Sequence, residues 1–372
     1  MSSQDGSRWP SLKKLLEEGR DQGVYPAAVA MVGLKGKLLW QGAAGQVSRE
    51  AGSPAARLDT IFDLASLTKP LATALALMLL AHRGLLGLST TLGEVLAGPW
   101  LPPDKRPLTL KSLLAHRAGL PAWRSFYQEV LAASDDERAD LLARRAAAEP
   151  LEYEPETATL YSDLGFILLQ AVVEEVTGQD LDSFCRRELY QPLGLKILGF
   201  SPKKQTWWEK YTCAATEEGL IAGRAIVGEV HDENAWAAGG VAGHAGLFGT
   251  GPEVFTLAAW LYRAYHGRSE GLAISPEIVR QFLTPVAKGA RTPGFDVPTP
   301  GQSSAGRFFP PNSVGHTGFT GTSFWIDLEL GQMVVLLTNR VNLGRDHDSI
   351  RAFRPLFHEA VSRALGLHAH KM

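Results

Sequence analysis

The chain has 372 residues, of which 45% are hydrophobic, so it can bury a large core in one domain or in two interleaved subdomains. Its 37 basic and 39 acidic residues give a net charge of -2, which disfavours binding to nucleic acid or to an anionic membrane. The two cysteines, Cys185 and Cys213, form no C-x-x-C pair and predict buried free thiols. The N-terminus is polar and no apolar run suggests a signal peptide or a membrane span, so we expect a cytoplasmic protein.

In chain order, the predicted elements begin with a helix over residues 10–23 and a strand pair over residues 27–47 that is joined by a glycine-containing turn. The pattern from Ser66 to about Gly194 is mainly helical and is broken by proline-containing loops. Residues 322–340 are apolar and β-rich about a Leu-Gly turn, and residues 348–365 return to helical spacing.

The order of these elements predicts an α+β fold. Strands at both ends of the chain would form one antiparallel sheet, flanked by helices, with a mainly helical subdomain inserted in it. We place the approximate boundary of the helical subdomain at 66–194, and that of the sheet subdomain at 1–65 together with 195–372. A cleft is expected between the two halves.

The segment "FDLASLTKPLATALALMLL" places a serine and a lysine three residues apart at the start of a long apolar helix. Residues three apart share a helix face, so the Ser66 hydroxyl and the Lys69 amine would lie within reach of each other. Pro70 lacks an N–H and is tolerated only near a helix start, which places Ser66 in the first turn, where free N–H groups favour negative charge. The alternative is that Ser66 caps a core helix and Lys69 extends to solvent.

Two later segments supply possible partners for this serine. Tyr161 and Asp163 in "LYSDLGF" precede an amphipathic helix, and His316, Thr317 and Gly318 in "GHTGFTGTS" lie at the mouth of a predicted strand. Taken singly, Tyr161 could be an aromatic at a helix start, and His316 a strand-end residue with local hydrogen bonds. Their joint order after S-x-x-K favours a catalytic set.

These three motifs, in this order, resemble those of the serine β-lactamase and penicillin-binding-protein superfamily, especially its class C branch with related D-amino-acid peptidases and esterases. The segment "LKSLLAHRAGLP", residues 110–121, also looks like one that is common in that branch. The resemblance covers nearly the whole chain and implies a serine hydrolase that needs no metal and no organic cofactor.

The resemblance also implies roles for single residues. Ser66 would be the acylated nucleophile, and Lys69, with a pKa depressed by burial, would accept its proton. Tyr161 would relay the proton to the leaving group. The N–H groups of Ser66 and Phe319 would form the oxyanion hole, and Thr317 would position a small-molecule or peptide-like substrate.

Two departures from the usual motifs bear on the substrate. Asp163 stands where Asn is commonest, and its carboxylate could pair with Lys69 and hold it charged. His316 stands where many relatives carry Lys, so capture of a substrate carboxylate would be weaker near neutral pH. Efficient β-lactamase activity is therefore not expected. The full set of motifs looks like a subgroup that includes muropeptide amidases and carboxypeptidase-like proteins of cell-wall turnover.

Other signals are set aside. Ser269 lies in "GRSEG", which matches a nucleophile elbow, but helical spacing precedes it where the elbow requires a strand. The consecutive residues His231, Asp232 and Glu233 would not converge on one metal ion, and a hydrogen-bonding loop is expected there. His244, in a glycine-rich segment, is at most an outer contact of the site.

The sequence thus predicts an acyl-enzyme hydrolase that acts on an amide or ester, with cell-wall fragments preferred to penicillins. Two alternatives stay open at this point. One is a broad carboxylesterase, and the other is a catalytically inert protein that keeps the fold to bind a peptidoglycan fragment.

Overall fold

The computed structural model describes residues 8–206, 208–218 and 225–367. The strands are β1 (Ala27–Leu34), β2 (Lys37–Gly45), β3 (Phe62–Asp63), β4 (Gly199–Phe200), β5 (Leu247–Gly249), β6 (Val314–Thr317), β7 (Ser323–Ile326) and β8 (Gln332–Thr338). The α-helices are α1 (Arg8–Asp21), α2 (Leu75–His82), α3 (Leu92–Val95), α4 (Leu110–Leu114), α5 (Tyr127–Leu131), α6 (Arg138–Ala148), α7 (Asp163–Thr177), α8 (Leu181–Cys185), α9 (Glu233–Ala237), α10 (Gly251–Tyr265), α11 (Pro276–Leu283) and α12 (Ile350–Ala364).

The main sheet has five strands in the order β2-β1-β8-β7-β6, and each neighbouring pair is antiparallel. Strand β1 from the N-terminal part pairs directly with β8 from the C-terminal part, and Val29 lies opposite Leu337. The predicted antiparallel sheet from both chain ends is therefore confirmed. A second, three-stranded sheet, β3-β5-β4, was not predicted because two of its strands are only two residues long.

Both faces of the main sheet are covered, as the alternation of β1 shows. Ala28, Ala30 and Val32 belong to the apolar cluster that includes residues of α1 and α12. The intervening side chains, Val29 among them, face the larger cluster that includes α10. Burial on both faces explains why this strand is a continuous apolar run rather than an alternating one.

The hairpin of β1 and β2 and the two buried free thiols were predicted from the sequence, and both predictions are confirmed. The turn residues Lys35 and Gly36 have φ values of 51° and 79°, the left-handed pair that a two-residue hairpin turn needs. Cys185 and Cys213 are buried free cysteines. The division into subdomains at 66–194 stays a prediction.

The helix that follows β3 begins irregularly, which the sequence did not predict. Residues Ala65–Leu67 form a 3₁₀ turn and Lys69–Ala74 a π-helical turn before α2 begins. Pro70 has no N–H to give to the carbonyl of Ser66, so the regular α-helical bond at this point cannot form. Short π segments of this kind often accompany functional sites.

The continuous helical stretch Ala65–His82 has 18 residues and a mean hydropathy of 1.3, so by length and composition it could cross a membrane. The expectation that no run reaches that length is wrong. Of this stretch, 83% is buried, as is typical of the central helix of a folded core. It provides a rigid support for Ser66.

Candidate active site

Ser66 lies in a strained turn directly after β3. The preceding residue, Ala65, has a φ of 48°, which is uncommon for a residue with a side chain. The buried Asp63 carboxylate accepts hydrogen bonds from the Ala65 N–H at 2.8 Å and from the His231 N–H at 2.7 Å. Asp63 therefore fixes the turn that presents Ser66. Sequence analysis missed this residue.

The Lys69 ammonium is fully buried and contacts three partners, two by hydrogen bonds and one by an ion pair. Its Nζ donates to Ser66 Oγ at 3.2 Å and to the carbonyl oxygen of His244 at 3.0 Å, and it lies 2.6 Å from Asp163 Oδ1. The structure thus brings together the predicted pair Ser66 and Lys69. It also places Asp163 against the lysine rather than against open cleft.

The predicted depression of the Lys69 pKa is wrong. Burial alone would lower this pKa, but the charge of Asp163, helped by Tyr161, outweighs burial and raises the pKa above its ordinary value. Lys69 is therefore held as an ammonium at neutral pH. In that state it donates to Ser66 and cannot take the serine proton.

Tyr161 lies at the centre of a group of cationic and aromatic side chains. Its ring is 4.9 Å from Lys69 Nζ and 5.3 Å from the Arg291 guanidinium carbon, and its centroid is 4.4 Å from that of His116 and 5.9 Å from that of His316. Burial raises the Tyr161 pKa, although Lys69 and Ser66 act to lower it. The phenol is therefore protonated at neutral pH and available as a donor.

His116 is a part of the site for which sequence analysis predicted no role. It lies in the segment 110–121 with a φ of 59°, and its Nδ1 accepts a hydrogen bond from the Ser162 N–H at 3.0 Å. Burial, followed by the charges of Arg291 and Lys69, lowers its pKa well below the ordinary value. A neutral His116 therefore packs against Tyr161 just before α7 begins.

His316 stands at the position where the motif usually has a lysine. Its imidazole is buried and neutral. Its Nδ1 donates to the Thr317 carbonyl oxygen at 2.8 Å, because a carbonyl can only accept, so Nε2 carries the lone pair. Burial, then Arg291 and Lys69, lowers the His316 pKa well below its usual value. Near pH 7 this position offers an acceptor and not a cation.

The loop after β6 is fixed against the chain that leads into Ser66. Thr320 Oγ1 donates to the Asp63 carbonyl at 2.8 Å, and Thr322 Oγ1 donates to the Leu64 carbonyl at 3.1 Å. A Cβ atom at Gly318 would lie 2.7 Å from the Leu64 carbonyl oxygen, so only glycine fits this approach. The segments that carry Ser66 and Phe319 are thus neighbours, as an oxyanion hole between their N–H groups requires. That assignment stays a prediction.

A cavity of about 590 Å³ opens over Ser66. Six of the eight predicted site residues line it, while Lys69 and Asp163 are not among the lining residues. The other lining residues include a basic set that sequence analysis did not assign to the site: Arg291, Arg340, Arg345, Arg351 and Arg354. A cavity of this size fits a small-molecule or peptide-like ligand.

The side chains of the three consecutive residues at 231–233 each contact a different partner, so they do not converge on one point. These pairs are His231 with Glu217, Asp232 with His244, and Glu233 with Arg345. Among residues 8–206, 208–218 and 225–367, no group of three His, Cys, Asp or Glu could hold a metal ion. Ser269 follows the helix Gly251–Tyr265 rather than a strand, so the elbow interpretation fails.

The chain matches a known protein family and known proteins over most of its length. The Beta-lactamase family profile matches residues 12–357. An N-acetylmuramyl-L-alanine amidase of Bacillus subtilis (strain 168) is 32% identical over 346 residues, which cover 85% of this chain and 77% of that protein. A putative D-alanyl-D-alanine carboxypeptidase of Escherichia coli O157:H7 is 31% identical over 348 residues, 85% of this chain and 79% of that protein. A solved penicillin-binding protein homologue from Caulobacter crescentus superposes with a TM-score of 0.73 at 18% identity and covers 98% of this chain and 99% of that one.

Proposed function

The chain belongs to the Beta-lactamase family and is a serine hydrolase, and from this premise we propose that it cleaves an amide bond in peptide-bearing cell-wall fragments. The observation that carries the proposal is the contact set of Ser66, Lys69 and Asp163 below a cavity lined by Tyr161. The amidase of Bacillus subtilis, 32% identical to this chain, makes the bond between muramic acid and L-alanine the first candidate.

The proposed chemistry begins when the Lys69 ammonium gives one proton to water. The neutral Lys69 amine then accepts the proton of Ser66 as the serine oxygen attacks the amide carbonyl, and the Asp163 carboxylate stabilises the ammonium that forms. The N–H groups of Ser66 and Phe319 would receive the negative charge of the carbonyl oxygen. The C–N bond breaks when Tyr161, resupplied by Lys69, donates a proton to the leaving amine.

Water completes the cycle by the same path in reverse. It attacks the ester carbonyl of the acylated Ser66 as the neutral Lys69 amine takes up one proton, either from the water itself or from the Tyr161 phenol, which the water then reprotonates. The serine oxygen leaves and recovers that proton from Lys69. The buried Tyr161 phenol lies beside both Lys69 and Ser66, and both groups act on its pKa. This position supports its role as the relay in both steps.

The neutral His316 supports a substrate other than penicillin. A fixed cation at this position would attract the carboxylate of a penicillin, and a neutral imidazole does not. A broad carboxylesterase remains the alternative within the same chemistry, since an ester would need less help at the leaving group. An inert binding protein is disfavoured by the direct contact of Lys69 with Ser66.

The test is product analysis after incubation of the purified protein with muramyl dipeptide, a peptide ending in D-alanyl-D-alanine, nitrocefin and a p-nitrophenyl ester. We expect free N-acetylmuramic acid and dipeptide from the first compound, with slow turnover of nitrocefin. The matched control is the Ser66→Ala variant, which should release no product from any of them. Turnover of the p-nitrophenyl ester alone would favour the carboxylesterase.

A further inference from the structure

We propose that His116 is a positioning residue that holds Tyr161 where its phenol gives a proton to a leaving amine, and that it thereby favours amides over activated esters as substrates. The inference rests on the proposed function, in which Tyr161 is the relay. His116 is not among the residues that line the cavity over Ser66, so it acts on the reaction through Tyr161.

His116 holds the chain on both sides of Tyr161. Its carbonyl oxygen accepts a hydrogen bond from the Leu160 N–H at 3.0 Å, and its Nδ1 accepts one from the Ser162 N–H at 3.0 Å. Leu160 and Ser162 are the residues directly before and after Tyr161. One residue therefore fixes the backbone at both neighbours of the phenol. The second hydrogen bond depends on the histidine side chain, whereas the first needs only the main chain.

The His116 ring also packs against the phenol ring itself. The two centroids are 4.4 Å apart with 36° between the ring planes, and the Phe166 ring lies 5.2 Å from the imidazole. His116 is only 4% exposed, so its imidazole has little room to move. This ring contact limits the orientations that are open to the Tyr161 side chain.

Tyr161 depends on such support because its own hydroxyl is not anchored. The oxygen is buried beside Lys69 and Ser66 but completes no hydrogen bond within residues 8–206, 208–218 and 225–367. Its place is therefore set by the backbone and ring contacts of Tyr161. A proton is transferred well only within hydrogen-bond reach, so a small displacement of the phenol slows the step.

His116 adopts a backbone conformation that is unfavourable for most residues with a side chain. Its φ of 59° lies in the left-handed region, where glycine and asparagine are favoured. Strain of this kind persists where the surrounding contacts determine it, and it clusters at functional sites. Here those contacts are the carbonyl and the Nδ1 of His116, which both reach the segment 160–162.

The acceptor role of His116 requires a neutral imidazole. The Ser162 N–H is a donor, so Nδ1 carries the lone pair and Nε2 carries the proton. Burial, then the charges of Arg291 and Lys69, lower the His116 pKa well below its usual value. The lone pair of Nδ1 is therefore available to Ser162 near neutral pH.

The consequence for substrate choice follows from the leaving group. A leaving amine must receive a proton as the C–N bond breaks, whereas the nitrophenolate of p-nitrophenyl acetate leaves without one. A misplaced Tyr161 phenol should therefore slow the cleavage of amides and spare this ester. A residue with a merely structural role would slow both reactions, because damage to the fold would also disturb Ser66 and Lys69.

The first experiment compares kcat/KM for muramyl dipeptide and for p-nitrophenyl acetate in variants of His116. His116→Gly tolerates the left-handed backbone but removes the ring and the acceptor. We expect a fall of about 10- to 100-fold for the amide, the scale of a lost hydrogen bond at a buried donor, with the ester near its wild-type value. His116→Asn should recover most of the loss, because its side-chain oxygen can accept from the Ser162 N–H.

His82→Ala is the matched control for the loss of a histidine acceptor. The Nδ1 of His82 also accepts a backbone hydrogen bond, from the Ser275 N–H at 3.2 Å, but at the end of α2. This variant should change neither rate.

A double variant shows whether His116 acts through Tyr161. Once Tyr161→Phe has removed the hydroxyl, no proton donor is left to position. Adding His116→Gly to Tyr161→Phe should therefore cause no further loss of amide cleavage, although each single variant causes one.

Hydrogen exchange of backbone amides in the Ser66→Ala background tests the positioning without turnover. The Ser162 N–H should exchange faster in His116→Gly and regain protection in His116→Asn, while the Leu160 N–H keeps its main-chain acceptor and should change less. A wild-type protein that cleaves the ester but no amide would refute the proposed function. Faster exchange of Ser162 would in that case still support the positioning of Tyr161 by His116. Should His116→Gly fail to fold, His116→Ala takes its place.

Three results would overturn this role of His116. The first is an equal loss of kcat/KM for the amide and the ester in His116→Gly. The second is a loss in the double variant that multiplies the losses of the two single variants. The third is unchanged exchange of the Ser162 N–H in a folded His116→Gly protein.

Discussion

Replacing Asp163 with asparagine tests how the buried lysine is controlled. Asp163 Oδ1 lies 2.6 Å from Lys69 Nζ, and the carboxylate is 17% exposed. At that distance Coulomb's law with an effective dielectric constant of about 20 gives an attraction of about 6 kcal/mol, which is an upper limit for the pair. A nearby opposite charge typically shifts a pKa by about 1–3 units, which corresponds to about 1.4–4 kcal/mol.

The direction of the change in the Lys69 pKa follows from the negative charge of Asp163. Asp163 favours the charged form of Lys69, so its removal lowers the Lys69 pKa, and burial then acts in the same direction. The acid limb of the kcat/KM profile reports the pKa of the base in the free enzyme. In Asp163→Asn this limb should move to lower pH by about 1–3 units, and activity at pH 7 should rise.

The assay is p-nitrophenyl acetate hydrolysis between pH 5 and pH 10, corrected with Ser66→Ala at each pH. Because the Lys69 pKa is raised above its ordinary value, the wild-type rate should still be rising at pH 10, whereas the rate of Asp163→Asn should level off within this range. Asp296→Asn is the matched control, because Asp296 is also a carboxylate of the cavity but pairs with Arg291 at 3.1 Å. The acid limb of the kcat/KM profile of Asp296→Asn should stay at the same pH as in the wild type. An unmoved limb in Asp163→Asn, with the variant still folded by circular dichroism, would refute the idea that Asp163 controls the protonation of Lys69.

Further predictions concern the relay, the substrate and stability. Tyr161→Phe should lower kcat for the amide bond of muramyl dipeptide, whose leaving amine needs a proton, by about 10²- to 10⁴-fold with little change in KM, the loss typical of a general acid or base; an unchanged kcat would exclude Tyr161 as the relay. His316→Lys should raise kcat/KM for nitrocefin more than for the neutral ester, and no lactam gain would contradict our account of His316. The pKa of His358 is lowered by burial, then by Arg354, to about 3. Between pH 3 and about pH 6.5 this histidine is therefore protonated only in the unfolded chain, so the free energy of unfolding falls as the pH falls. From pH 7 to pH 5 this histidine should cost about 2 kcal/mol of unfolding free energy, and His358→Gln should flatten that dependence in urea titrations; an equal slope would refute the assignment.

The fold was predictable because its main signals are local. Alternation and helical spacing identify α1, the β1–β2 hairpin, the last two strands and α12, and antiparallel pairing of the end strands follows from their order along the chain. The approach of Lys69 to Ser66 was predictable for the same reason, since both residues lie in one short segment. The irregular start of that helix was not predicted, because it depends on the loss of one regular hydrogen bond at Pro70.

The electrostatics of the site were not predictable, because they depend on distant segments that meet only in the folded chain. The direction of the Lys69 pKa shift depends on how closely Asp163 approaches, and the motif spacing does not specify that distance. Arg291 and Arg354 carry no periodic or motif signal, yet one packs on Tyr161 and the other lines the cavity. Asp63 was missed because its role is to hold a strained backbone.

The most direct test of the central claim is intact mass spectrometry after incubation with a fluorophosphonate, followed by peptide mapping. The account predicts one adduct per chain, located on Ser66, and none in Ser66→Ala. Parallel incubation with a penicillin should give little or no stable adduct. A fluorophosphonate adduct on Ser269, or no adduct on a folded wild-type protein, would contradict the claim that Ser66 is the nucleophile of this hydrolase.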